Sequence, residues 1–196
     1  MNTNDLLQDA VMLFIIVNPF GNLPIMMDLT SAFSSVRRRQ AFTYAVLIAA
    51  ILVFAVSLAG QQLLDNVFHV GITELRIMGG LVLLVLAVKN IVAGPAGKKK
   101  GGKLADIVAV PMAFPMLVAT VSFVTGILIM QKSGFFVLTA VIAAVFSAVW
   151  LILVFLSPLF SRLGAANLTI ISKIMYIVLA SKAMKILLTA IFKPGV

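Results

Sequence analysis

The residues of this chain best suited to chemistry stand together in an otherwise apolar stretch, Asn18-Pro19-Phe20-Gly21-Asn22-Leu23-Pro24. Each proline removes a backbone donor and disturbs the carbonyl four residues before it, so a helix passing through must kink or break. Gly21 removes a side chain between the prolines, and Asn18 and Asn22 bring amide groups to the freed backbone. Irregular backbone inside a membrane persists only where protein or water satisfies it. The motif is thus a candidate broken helix facing a cavity, with half-helix ends able to hold a small polar or zwitterionic ligand. The alternative is a plain kink in which Asn18 and Asn22 bond to a neighbouring helix.

A second proline pair, Pro111-Met112-Ala113-Phe114-Pro115, is followed by Thr120, Ser122 and Thr125. These hydroxyls either face the same cavity as Asn18 or bond carbonyls of their own helix. Lys182 and Lys185 interrupt a third apolar stretch and, three apart, share a helix face. Lys185 is near enough to the outer end to snorkel. Lys182 is about ten residues from that end, roughly 15 Å at 1.5 Å per residue. An ammonium that deep costs at least about 2.5–3.5 kcal/mol, so it must face protein or a wet cavity. It binds an anionic group of a substrate, shuttles charge, or pairs with a carbonyl or lipid phosphate. Arg76 and Lys173 read as headgroup anchors, and Asp28, Glu74 and Asp106 as solvated span ends. The single histidine, His69, predicts neither a metal site nor a pH switch. The absence of cysteine excludes thiol chemistry and zinc thiolates. No triad, Walker loop or paired carboxylate is present, so the expectation is a non-enzyme without metal or cofactor.

The elements that position these residues are membrane spans. Of 196 residues 62% are hydrophobic and 11% charged, far from the composition of soluble domains. Runs long enough to cross about 30 Å of hydrocarbon fall at about 10–27, 41–60, 74–93, 107–130, 134–158 and 168–192. The amino terminus lacks a basic n-region and reads as a retained first span. Basic residues cluster after the first, third and fifth runs, at Arg37-Arg38-Arg39, at Lys98-Lys99-Lys100 with Lys103, and at Arg162 with Lys173. The positive-inside bias makes those loops cytoplasmic and places both termini outside. The net charge of +9 accordingly suits anionic lipid and argues against nucleic acid as a partner. Arg76-Ile77-Met78 and the first proline motif have counterparts in Lys173-Ile174-Met175 and the second, at nearly the same offset. The prediction is an all-α membrane protein of six helices in two inverted three-helix repeats, 1–93 and 107–196, joined by a basic linker at 94–106. Its first and fourth helices are broken or kinked at the prolines.

The Asn-Pro-x-Gly-x-x-Pro motif, Arg37-Arg38-Arg39, Leu75-Arg76-Ile77-Met78-Gly79-Gly80-Leu81 and Val110-Pro111-Met112-Ala113-Phe114-Pro115 together resemble the MarC family over essentially the whole chain. The resemblance implies the same six spans, membership of the wider LysE-type exporter group, plasma-membrane residence and, for some members, transport of small neutral amino acids. It also implies a Gly-Pro where this chain has Ala119-Thr120, and a glycine where it has Tyr176. The expected function is secondary transport, with export preferred, of small neutral amino acids or similar metabolites across the inner membrane by alternating access. The expected substrate-binding set is Asn18, Pro19, Gly21, Asn22, Pro24, Pro111, Pro115, Thr120, Ser122 and Lys182. The expected partners are a small-molecule substrate, membrane lipids and a second copy of the chain. Two alternatives stay open: a flippase or binding protein for an anionic lipid carrier, and a non-transporting scaffold.

Overall fold

The computed structural model describes residues 3–63, 71–93, 120–158 and 164–192, together with 108, 112, 113, 117 and 118. These are helical, with no strand among them. The elements are α1 (Thr3–Val17), α2 (Pro19–Leu29), α3 (Ser35–Leu63), α4 (Ile72–Ala93), α5 (Thr120–Leu151, followed by a π turn at Ile152–Leu156) and α6 (Gly164–Phe192). Five stretches are long and apolar enough to cross a membrane: Leu6–Leu23, Ser35–Gly60, Thr73–Val92, Val121–Leu156 and Thr169–Phe192. The linker at 94–106 and both prolines of the second motif, Pro111 and Pro115, lie outside the described residues.

Several boundaries differ from the sequence reading. The arginine run, expected between spans, lies in the first turns of α3. Ser34 caps that helix, its hydroxyl accepting from the Arg37 N–H at 3.4 Å and its carbonyl from the Arg38 N–H at 2.9 Å. Arg38 reaches back to the Thr30 carbonyl at 3.3 Å, where a cation complements the negative end of α2. Among the few described residues before Thr120, the Val118 N–H bonds the Ala113 carbonyl five residues back, in a turn wider than that of an α-helix.

Residues 121–130 of the fourth run and 134–156 of the fifth fall within one apolar stretch of 36 residues, Val121–Leu156. At 1.5 Å per residue it is roughly 54 Å long, well beyond one hydrocarbon thickness. Gly134 interrupts it with φ 81° and ψ 178°, a conformation open to glycine and costly for residues with a Cβ. The legs on either side, 120–133 and 135–151, are therefore not one straight rod.

Packing follows from small residues at the crossings, where dispersion and close approach replace the hydrophobic drive available in water. The most extensive contacts are α4 on α6 and α3 on α5. A Cβ on Gly80 would come within 2.9 Å of Leu187, and one on Gly79 within 3.0 Å of Val121. One core joins α1, α2, α3 and α5 around Leu13, Leu23, Phe42 and Leu138. A second joins α4 and α6 to the break region through Ile16, Ile25, Leu83, Tyr176 and Leu179. The outward surface is apolar as well: Phe136 is 87% exposed, and Leu47, Val85 and Ile177 stand free. Such contiguous exposed apolar surface suits lipid contact.

Candidate substrate site at the helix break

Asn18 separates α1 from α2 and adopts φ +48°, the one positive φ among described non-glycine residues. In this left-handed conformation it ends α1 as a C′ residue does. It also begins α2 as an N-cap, its Oδ1 accepting from the Gly21 N–H at 3.2 Å. Pro19 takes the first helical position, where a missing N–H is tolerated. With Gly21 bonded to Asn18, the Val17 carbonyl loses its usual i+4 donor. Asn22 supplies another, its Nδ2 donating to that carbonyl at 3.0 Å. Asn18, Pro19, Gly21 and Asn22 thus each have a structural part in the break. A Cβ on Gly21 would overlap the Asn18 amide, lying 2.8 Å from its Cγ.

The last helix holds the break from the side. Ser172 donates to the Gly21 carbonyl at 2.8 Å, and the Tyr176 hydroxyl donates to Asn22 Oδ1 at 2.9 Å. Asn18, Asn22, Ser172 and Tyr176 are all buried. Tyr176, marked in the sequence as a bulky departure from an expected glycine, serves as a polar latch to the motif. Ser172 was not anticipated; its place one turn before Tyr176 on the same helix face was the available signal. Replacing Tyr176 by phenylalanine removes one buried hydrogen bond worth about 0.6–1.7 kcal/mol in membrane helices. The expected result is a lower melting temperature by a few degrees, read by circular dichroism in detergent.

Asn18 Nδ2 at the break and Ser122 Oγ in α5 are buried polar atoms that find no hydrogen-bond partner among the described residues. Because Oδ1 is fixed as an acceptor by the Gly21 N–H, the free group of Asn18 is its NH₂ donor. Leaving such a group unmet in a buried site costs about 1–3 kcal/mol. It is the kind of atom a polar ligand satisfies. Ser122, fully buried in the first leg of α5, has the same character. Pro19 is buried at the break. Pro24 and Thr120 lie within α2 and at the start of α5.

Lys182 belongs elsewhere. It is half-buried and lines a cavity of about 250 Å³ with Arg76, Lys185, Thr125 and Thr189, walled by Met12, Val121, Val124, Leu128 and Ile186. An adjoining space of about 510 Å³ shares Met12, Arg76, Thr125 and Leu128 and adds Asp9, Gln131 and Lys132. Met12 precedes Asn18 on α1, and Lys182 follows Tyr176 on α6, each by about six residues or roughly 9 Å. The charged cavity is therefore displaced by that distance from the break, toward the end of the bundle where α1 begins. Arg76, read from sequence as a headgroup anchor, forms a wall shared by both spaces. No group of three or more metal-ligating side chains occurs among the described residues.

Comparison with known proteins accords with this architecture. The chain is 31% identical over 183 residues to a UPF0056 membrane protein of Archaeoglobus fulgidus, covering 88% of this chain and 85% of that protein. It is 25% identical over 193 residues to the UPF0056 inner membrane protein YhgN of Escherichia coli, covering 96% of each. The UPF0056 membrane protein YvbG of Bacillus subtilis is 26% identical over 182 residues. No solved structure matches the chain. The profile described as MarC family integral membrane protein matches residues 3–193, and with nearly every residue covered the chain belongs to the MarC family of integral membrane proteins.

Proposed function

We propose that this chain is a secondary transporter of small neutral amino acids or similarly small polar metabolites across the inner membrane, with export as its preferred direction. The observation that carries the reading is the break at Asn18, which holds a buried amide donor without a protein partner inside an otherwise apolar bundle. A zwitterion offers both charges a place at such a break. Its carboxylate meets the positive amino-terminal end of α2 and the Asn18 NH₂, and its ammonium meets the carbonyls at the end of α1. Ser122 supplies a second polar contact from α5. The name of the Escherichia coli relative supports the inner membrane as the location.

The transport cycle in this reading rocks one three-helix half against the other. Counting the two legs of α5 on either side of Gly134 as parts of separate crossings gives six spans, and the halves are then inverted repeats with both termini outside. The likeness to LysE-type exporters belongs to the same reading. The latch from Ser172 and Tyr176 joins the break to the second half, so breaking and remaking those two bonds is a natural part of the rocking motion.

Equilibrium binding tests the site apart from the transport step. Purified protein in nanodiscs is expected to bind at least one labelled small neutral amino acid saturably. Asn22→Ala, which removes both the Val17 contact and the Tyr176 contact, is expected to weaken that binding at least tenfold. Undiminished binding by a folded Asn22→Ala protein would place the site elsewhere.

A further inference from the structure

The charged cavity beyond the break has a composition that a neutral solute does not require. Arg76, Lys182 and Lys185 converge on it from α4 and α6, and no acidic side chain is among its described lining residues. Met12, Val121, Val124, Leu128 and Ile186 form its apolar walls, which keep the local dielectric low and strengthen any charge interaction inside. Lys182 and Lys185 sit three apart on one helix face, where like charges repel. Lys182 is half-buried, and a cation drawn into a membrane span is costly without a counter-charge and marks a functional site. The adjoining space adds Lys132 and one carboxylate, Asp9, whose Oδ2 is buried without a hydrogen-bond partner among the described residues. Among the described lining residues, the two spaces together hold four cationic side chains against one acid.

We infer that this cavity is a binding site for a phosphate monoester group. Its charge of about −1.5 to −2 near neutral pH and its several acceptor oxygens answer a guanidinium and two ammoniums better than a single carboxylate does. The Thr125 and Thr189 hydroxyls in the same lining can donate to the remaining oxygens. A volume of about 250 Å³, with about 510 Å³ more beyond the shared wall of Met12, Arg76, Thr125 and Leu128, admits the group with a small alcohol or the start of a glycerol backbone attached. Arg76 and Lys132 keep the interactions they already have in the protein, and the anion is held chiefly by Lys182 and Lys185. The inference does not depend on transport: the site would be present in a transporter and in a non-transporting membrane protein alike.

The same chemistry can arrive from the aqueous phase or from a lipid headgroup, and two arms separate the sources. In the first, protein in phosphatidylcholine nanodiscs is titrated calorimetrically with glycerol 3-phosphate, without amino acid or ion gradient. In the second, the nanodiscs contain phosphatidic acid, and lipid retained by the protein after exchange into phosphatidylcholine is counted by native mass spectrometry. Saturable binding in either arm, reduced at least tenfold in both Lys182→Met and Lys185→Met, is the expected result, and the responding arm identifies the source. Lys185 is solvent-exposed, so its variant preserves the fold if the deeper one does not. Lys173→Met, an exposed lysine toward the other end of α6, is expected to leave binding unchanged. Failure of the wild type to bind in both arms would overturn the inference, as would equal binding by the folded lysine variants. Amino-acid binding at the break is unaffected by either outcome, so the two readings fail separately.

Discussion

Asn18→Ala is expected to lose both stability and transport, whereas Asn18→Gly keeps most of the stability and still loses transport. The two substitutions separate the shape of the break from its chemistry. Alanine cannot cap the Gly21 N–H, a loss of about 1 kcal/mol, and it must adopt a positive φ at roughly 1–2 kcal/mol. The sum, about 2–3 kcal/mol, is a large share of the stability of most proteins. Glycine accepts φ +48° freely and costs only a few tenths of a kcal/mol as a helix cap. Neither residue retains the buried NH₂ group that finds no partner in the protein. Thermal melting of the two variants should therefore diverge while their solute flux falls together. Equal melting temperatures would show that the left-handed conformation is not strained for alanine. Full flux in Asn18→Gly would remove the amide from the mechanism.

The second large effect lies at the crossing of α3 and α5. A Cβ on Gly126 would overlap the Ser57 hydroxyl and stand 3.1 Å from the Ser57 Cβ. Ser57 is buried, its hydroxyl donating to the Val53 carbonyl of its own helix at 2.6 Å. Gly126→Ala must push the two helices apart or rotate that hydroxyl away, an overpacking cost of about 1–3 kcal/mol. Ser57→Ala removes the overlapping oxygen at the loss of a hydrogen bond confined to one helix turn. The double variant Ser57→Ala/Gly126→Ala is therefore expected to recover most of the stability lost by Gly126→Ala alone. A double-mutant cycle on melting free energies reads the coupling directly. Simple additivity would mean that the two helices do not approach as closely as the structure has them.

Residue chemistry made some features legible from the sequence and left others hidden. The apolar runs identified the α3, α4 and α6 spans closely, because a run of apolar residues without charge has few other uses. Asn18, Gly21 and Asn22 were singled out because amides and glycine beside proline are costly in a membrane unless arranged around a break. The arginines at the start of α3 were placed in a loop, since charge was read as the end of a span when it was only the end of the hydrocarbon. The division read between the fourth and fifth runs, at 131–133, sits beside Gly134, whose non-helical φ and ψ separate the two legs of α5. Tyr176 stood out only as a departure from the glycine that the resemblance implies, because the pairing of its hydroxyl with Asn22 spans 154 positions of sequence. Arg76 was hidden for the same reason: its meeting with Lys182 across a cavity is a tertiary event between α4 and α6. Local chemistry thus marked the break, while long-range packing brought the latch and the charged cavity to its side.

The central claim is that solute crosses the membrane at the Asn18 break, and flux in proteoliposomes tests it most directly. Labelled small neutral amino acids would be followed in uptake and efflux under proton and sodium gradients, with wild type beside Asn18→Gly. The account predicts saturable flux for at least one amino acid in the wild type and at least a tenfold loss in the folded variant. Correctly inserted wild-type protein that moves none of them under any gradient, or a variant that moves them as fast as wild type, would contradict it.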